Sequence, residues 1–111
     1  MIQELIGALN QQFGEQAEVT VIDATRAGER LGYYDHNIGL INICEGNMAD
    51  IEELVHVCLH EYAHFLQHIE EPTCFDYYKQ ECTWYGYEHH PLELAAEQFA
   101  ELWKNKFLGG F

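Results

Sequence analysis

From Asp50 to Pro72 the chain keeps one rhythm. Ile51, Leu54, Val55, Cys58, Leu59, Tyr62, Phe65, Leu66 and Ile69 recur at spacings of three and four, the period of an α-helix with one buried face. Asp50, followed three residues later by Glu53, is an aspartate form of the capping box that opens such a helix. Pro72 stops it, because the ring removes a backbone donor and clashes with the preceding turn. The pattern predicts one long, strongly apolar helix of about 20 residues. Everything else in a chain of 111 residues must be arranged around it.

The flanking segments are shorter. Ile2, Leu5, Ile6, Leu9 and Phe13 follow helical spacing and predict an amphipathic helix over residues 2–13 that ends at Gly14. "AEVTVID" (17–23) alternates and is rich in β-branched residues, so it reads as a strand. "ATRAGER" (24–30) reads as a turn or loop, and "RLGYYD" (30–35) and "IGLINIC" (38–44) as two strands joined by a tight turn at "DHN". "TCFDYYKQECTWYGYEHH" (73–90) shows no clear period and is crowded with aromatics, so it is expected to be a long loop. Pro91 suits the first position of a last helix, "PLELAAEQFAELWKNKF", which Gly109 and Gly110 are expected to end. The order is helix, about three strands, long helix, aromatic loop, helix, which makes residues 1–111 a single α+β domain.

Composition narrows the function. With 48% apolar residues the chain can bury a core. Nineteen acidic residues stand against five basic ones, for a net charge of −14. The basic residues Arg26, Arg30, Lys79, Lys104 and Lys106 are scattered. Neutralising phosphates takes clustered Lys and Arg, so direct nucleic-acid binding is not expected. A basic protein partner would instead be attracted. No stretch approaches the ~18 apolar residues of a membrane span, and "MIQELIGALN" has no basic leader region. Cys44, Cys58, Cys74 and Cys82 form no C-x-x-C pair, which excludes a four-cysteine zinc ribbon. Cys44 and Cys58 read as small buried hydrophobes, and a Cys74–Cys82 disulfide is possible but not indicated. Free thiols fit a reducing cytoplasm.

The long helix carries the chemistry. "HEYAH" sets His60 and His64 four apart, one above the other on one face. Two imidazole nitrogens can then aim at one point about 2 Å from each, the geometry of zinc ligands. Glu61 is turned about 100° from His60. From there its carboxylate can take a proton from water that zinc has made acidic, with a pKa near roughly 7, and pass it to a leaving amine. His56 and His68 extend the ladder, but each step drifts and rises too far for more than one pair to share an ion. They read as supporting or surface groups.

A catalytic zinc needs a third protein ligand and one open position. The pattern with a histidine six residues after the second is excluded, because position 70 is Glu70 and position 67 is Gln67 where glycine would be required. His89 and His90 could reach back from just before the last helix. Glu93 is the better candidate: "ELAAE" places Glu93 and Glu97 one turn apart, beside the small Ala95 and Ala96 that permit close packing. In this reading Glu93 binds one zinc ion and Glu97 orients a ligand histidine, with Glu97, His89 and His90 the alternatives for the third place.

With "HEYAH" and "LELAAEQFAELW" together, the chain resembles the gluzincin metallopeptidases, and most of all small ImmA/IrrE-type or minimal gluzincin domains. Those pair an H-E-x-x-H helix with a later E-x-x-A-x-x-F-A helix, here Glu93-Leu94-Ala95-Ala96-Glu97-Gln98-Phe99-Ala100. "LGYYDHNIGLINIC" is similar to the strand pair before the active helix in such proteins. The resemblance covers roughly residues 30–105. It implies a zincin-like fold, zinc on His60, His64 and Glu93, Glu61 as general base, and Glu97 where related families often carry an aspartate. It also implies a peptide or protein substrate lying along a free strand edge, for which "IGLINIC" is the candidate. Tyr85 and Tyr87 are candidate donors to a developing oxyanion, against the plainer role of packing. Two other functions stay open: a non-catalytic acidic decoy or binding protein, and a degenerate peptidase that keeps its zinc site.

Overall fold

The computed structural model describes residues 1–23, 31–85 and 90–110. The turn expected over 24–30, His89 and Tyr87 lie outside the described residues, as does the side chain of Tyr85. Helix α1 (Ile2–Phe13) buries Ile2, Leu5, Ile6 and Leu9 and ends at Gly14, whose φ of 69° is the left-handed cap that glycine adopts without a Cβ clash. Asn10 then ties three elements together. Its Oδ1 accepts from the Ala17 amide and from the Tyr62 hydroxyl, both at 2.9 Å, while its Nδ2 donates to the Ala17 carbonyl.

The sheet has three strands, β1 (Glu18–Val21), β2 (Gly32–Asp35) and β3 (Leu40–Ile43), in the order β1-β3-β2. β1 runs parallel to β3 and β2 antiparallel, with Tyr34 opposite Ile41 and Gly32 opposite Ile43. "IGLINIC" is therefore the centre of the sheet, paired on both sides, and not its free edge. Ile41, Asn42 and Ile43 are all buried, the near-continuous burial of a strand covered on both faces. Nearest neighbours in sequence pair in the β2–β3 hairpin, but β1 reaches the other side of β3 only through the long connection that follows it. Local patterning cannot show that choice. Among the described residues β2 pairs with β3 alone, so it is an edge strand, and it packs on the long helix. Gly32 makes the approach possible: a Cβ there would stand 2.8 Å from the Asn42 carbonyl oxygen and 3.1 Å from Val57 Cγ1.

Helix α2 (Ile51–Glu70) follows a short 3-10 turn at Glu45–Asn47. Asp50 caps it, accepting from the Glu53 amide at 2.8 Å, and Glu53 Oε1 in return accepts from the Ala49 amide at 2.8 Å. Leu54, Val55, Cys58, Leu59, Tyr62 and Phe65 join α1 and the sheet in one apolar core with Leu5, Ile6, Leu9, Tyr34, Ile41 and Ile43. Ile51 and Ile69, at its two ends, are exposed.

The segment expected to be an aromatic loop is largely a helix, α3 (Pro72–Tyr85). Pro72 ends α2 and also occupies the first position of α3, where its missing amide costs nothing. Phe75 and Tyr78, three apart, are both fully buried, while Cys74, Asp76 and Tyr77 between and beside them are exposed. Among the described side chains, residues 72–78, one buried residue per turn is too thin a stripe to register as a period. Helix α4 (Pro91–Gly110) closes the domain and continues through the two glycines expected to end it. Glu93, Ala96, Ala100 and Phe107 form its buried face, whereas Ala95 points outward. The absence of side-chain bulk at Ala96 and Ala100 lets α4 lie close along α2, which brings Glu93 to the histidines. No helix of the described residues is long and apolar enough to cross a membrane.

Candidate metal centre

His60, Glu61 and His64 project from the middle of α2, where the helix is covered on its other sides. His60 is 8% exposed, His64 2% and Glu93 6%. Both imidazoles turn Nε2 toward one carboxylate: His60 Nε2 is 2.5 Å from Glu93 Oε1, and His64 Nε2 is 3.1 Å from Glu93 Oε2. Helix periodicity supplies the pair of rings, 4.8 Å apart between centroids; the packing of α4 on α2 supplies the acid.

Each ring is also held from behind. His64 Nδ1 meets Gln67 Oε1 at 2.8 Å, and Gln67 Nε2 donates to the Leu92 carbonyl at 2.9 Å. Since the Gln67 amide nitrogen is committed to a carbonyl, its oxygen must accept, and His64 carries its proton on Nδ1. On His60, Nδ1 lies 2.6 Å from Glu97 Oε1. Glu97 in turn receives His56 Nε2 at 3.0 Å. Tyr78 OH donates to Glu93 Oε2 at 2.5 Å, and its ring stacks on His64 at 5.5 Å and 24°.

The cluster is short of positive charge. His64 Nε2, left as a bare lone pair by the Gln67 contact, faces a carboxylate oxygen. His60 faces a carboxylate from each nitrogen, yet a neutral imidazole has one proton to give. His60 Nδ1 and His64 Nε2 are buried without an aligned hydrogen-bond partner among the described residues. Opposed lone pairs in a buried site repel, and a cation between them removes the repulsion. Burial works against charge on His60, but the Glu93 hydrogen bond and the charges of Glu61, Glu93 and Glu97 raise its proton affinity. Glu93 shows the counterpart. Burial alone would raise its pKa, and the hydrogen bonds from His60 and Tyr78 instead hold it well below the carboxylate range. A buried group of two imidazoles and one carboxylate, all able to converge, could hold a metal ion.

Of the residues singled out in the sequence, His60, His64 and Glu93 are brought together, with Glu97 behind His60. Glu61 is 6% exposed and lines a cleft of about 270 Å³ with Leu31, Gly32, His56, Val57, His60, Glu93 and Glu97. His90 does not reach the cluster. Its Nδ1 accepts the Leu92 amide at 3.1 Å and its ring packs on Tyr78, so it caps the start of α4. His68 contacts the Tyr34 hydroxyl at 2.8 Å, away from the cluster.

Sequence reasoning missed two residues. Gln67 counted only as the absence of a glycine, although its spacing of three from His64 could have suggested a contact. Tyr78 was hidden in the supposed loop, and no local signal distinguishes it from its neighbour Tyr77. Compared with known proteins, the chain matches no family model, no curated protein and no solved structure.

Proposed function

We propose that this protein is a zinc-dependent metallopeptidase of the gluzincin kind, with His60, His64 and Glu93 holding one zinc ion and Glu61 as the general base. The observation that carries the reading is the convergence of both Nε2 atoms on the buried Glu93 carboxylate, with Glu61 lining the adjoining cleft. A purely structural zinc site is closed by four ligands and has no use for a general base beside it. When bound, the ion supplies Lewis acidity, which polarises a substrate carbonyl and makes a water acidic enough to attack at neutral pH.

The side chains do the rest. Glu61 takes the proton of the attacking water and carries it to the departing amine. Gln67 and Glu97 hold the two rings so that Nε2 faces the ion, and Tyr78 fixes the Glu93 carboxylate. Tyr78 is thereby committed and is not a donor to the developing oxyanion. The cleft opens beside Leu31 and Gly32, at β2 and not β3, so an extended peptide would lie along that side. Glu97, about half exposed, lines the same cleft, which suits substrates with basic side chains.

The deciding experiment is elemental analysis of the purified chain, together with cleavage of a mixed peptide library by wild type and by Glu61→Gln. Stoichiometric zinc and cleavage that falls at least ~10³-fold in the variant support the reading. Zinc without cleavage would make the protein a metal-holding binder, and absence of metal would leave the acidic decoy.

A further inference from the structure

The face of α2 that carries His60 and His64 also carries His56, one turn earlier. His56 Nε2 stands 3.1 and 3.0 Å from the two oxygens of Glu97, and its Nδ1 is 3.6 Å from Glu101 Oε1. His60 Nδ1, on a ring nine-tenths buried, points to the same Glu97 at 2.6 Å without hydrogen-bond alignment. Ligand atoms of His56, His60 and Glu97 can all converge on one point. This second group lies on the outer side of His60, with His56 partly exposed and Glu97 about half exposed.

We propose that His56 and Glu97 form a second divalent-cation site at the rim of the cleft, weaker than the inner site and coupled to it through His60 and Glu97, while Glu101 beside them stays paired with Lys104 at 3.4 Å. An imidazole and a carboxylate from facing helices are a donor set for zinc or a similar ion. The weakness follows from the proton count. His60 has one proton, and it cannot give Nε2 to an inner ion and Nδ1 to an outer one without losing that proton as well. The outer ion is therefore held by His56 and Glu97, with water completing its shell. Coupling is negative for two reasons. An outer ion draws the Glu97 charge away from His60, which weakens the orientation of an inner ligand. Two cations one imidazole apart also repel.

The inner site is the one assigned under the proposed function, and the test separates the two. Metal-stripped full-length protein is titrated with zinc alone by calorimetry, and with cobalt(II) followed by absorbance. Wild type is expected to take up one equivalent tightly and a second one more weakly. His56→Ala, at a partly exposed helical position, should lose the second step and keep the first. Glu97→Gln, on the other helix, should lose the same second step, so a folding defect in one variant leaves the other to decide. Glu93→Gln should lose the first step and keep one that depends on His56. A single equivalent in wild type, or a weak step that survives both His56→Ala and Glu97→Gln as adventitious surface binding would, overturns the rim site. A weak His56-dependent step with no tight step in wild type would sink the peptidase reading and leave the rim site standing.

Discussion

Gln67 grips His64 from behind, its Oε1 2.8 Å from Nδ1 and its Nε2 anchored 2.9 Å from the Leu92 carbonyl. One side chain thus sets the tautomer of His64, a candidate metal ligand, and ties it to the first turn of α4, the same turn that carries Glu93. Such outer partners commonly govern metal affinity by about 10- to 100-fold. Gln67→Met, which keeps the length and removes both hydrogen bonds, is expected to weaken zinc binding by about that factor. Competition against a chromogenic chelator measures it, and unchanged far-UV circular dichroism confirms that the fold survives.

Tyr78 should matter most when no metal is bound. Its hydroxyl donates 2.5 Å to Glu93 Oε2 inside the protein, and a buried carboxylate that loses such a donor costs about 1.5–3 kcal/mol. Tyr78→Phe keeps the ring stacked on His64 and removes only the donor. Urea unfolding of the metal-free variant is expected to show a loss in that range. A variant as stable as wild type would mean that the contact contributes little.

Metal and fold are linked through the same residues. An ion that binds only the folded chain stabilises it by about 2.7 kcal/mol at a hundred times its dissociation constant. Zinc should therefore raise Tm, and chelator should lower it. The shift should shrink sharply in His64→Ala. Differential scanning calorimetry with and without chelator reads both arms.

Gly32 is where the edge strand meets α2, and it has no room for a side chain. Gly32→Ala would press a methyl to 2.8 Å from the Asn42 carbonyl oxygen, with Val57 and Ile43 behind it. Overpacking of this kind costs about 1–3 kcal/mol. The denaturant midpoint should drop accordingly, and peptide cleavage should fall as well, because the cleft wall moves.

The cysteines differ in a way that labelling can read. Cys74 is exposed and free, whereas Cys44 and Cys58 are free but fully buried. Burial, with the nearby negative charges of Glu61 and Glu45, pushes the Cys58 thiol up to about 12. Native protein at pH 8 should alkylate at Cys74 within minutes and leave Cys44 and Cys58 untouched until unfolding, as peptide mapping would show. The raised pKa also fixes a sign for stability. The unfolded thiol ionises near its ordinary value and the folded one only near 12, so the contribution of Cys58 is complete below the ordinary value and is lost as pH rises toward 12. Denaturant midpoints should decline on the alkaline side, less steeply in Cys58→Ala measured against its own value at neutral pH.

Local periodicity already marked most of this molecule. The 3.6-residue rhythm of α2 placed His60 and His64 on one face, the Asp50–Glu53 pair located its start, and Gly14 located the end of α1, because these are contacts between residues within a turn or two of each other. Glu93 stood out for a similar reason, through its spacing from Glu97 and the small Ala95 and Ala96 between them, of which only Ala96 is buried. The assembly of the centre depended on longer-range packing. That α4 lies against α2 closely enough to seat Glu93 between two rings, that Tyr78 reaches in from α3, and that β3 takes the middle of the sheet are all settled by contacts between segments far apart in the chain. Burial then acts on those contacts. Taken out of water, the same histidines and glutamates oppose lone pair to lone pair, and a group that could hold a metal ion exists only once the helices have closed around them.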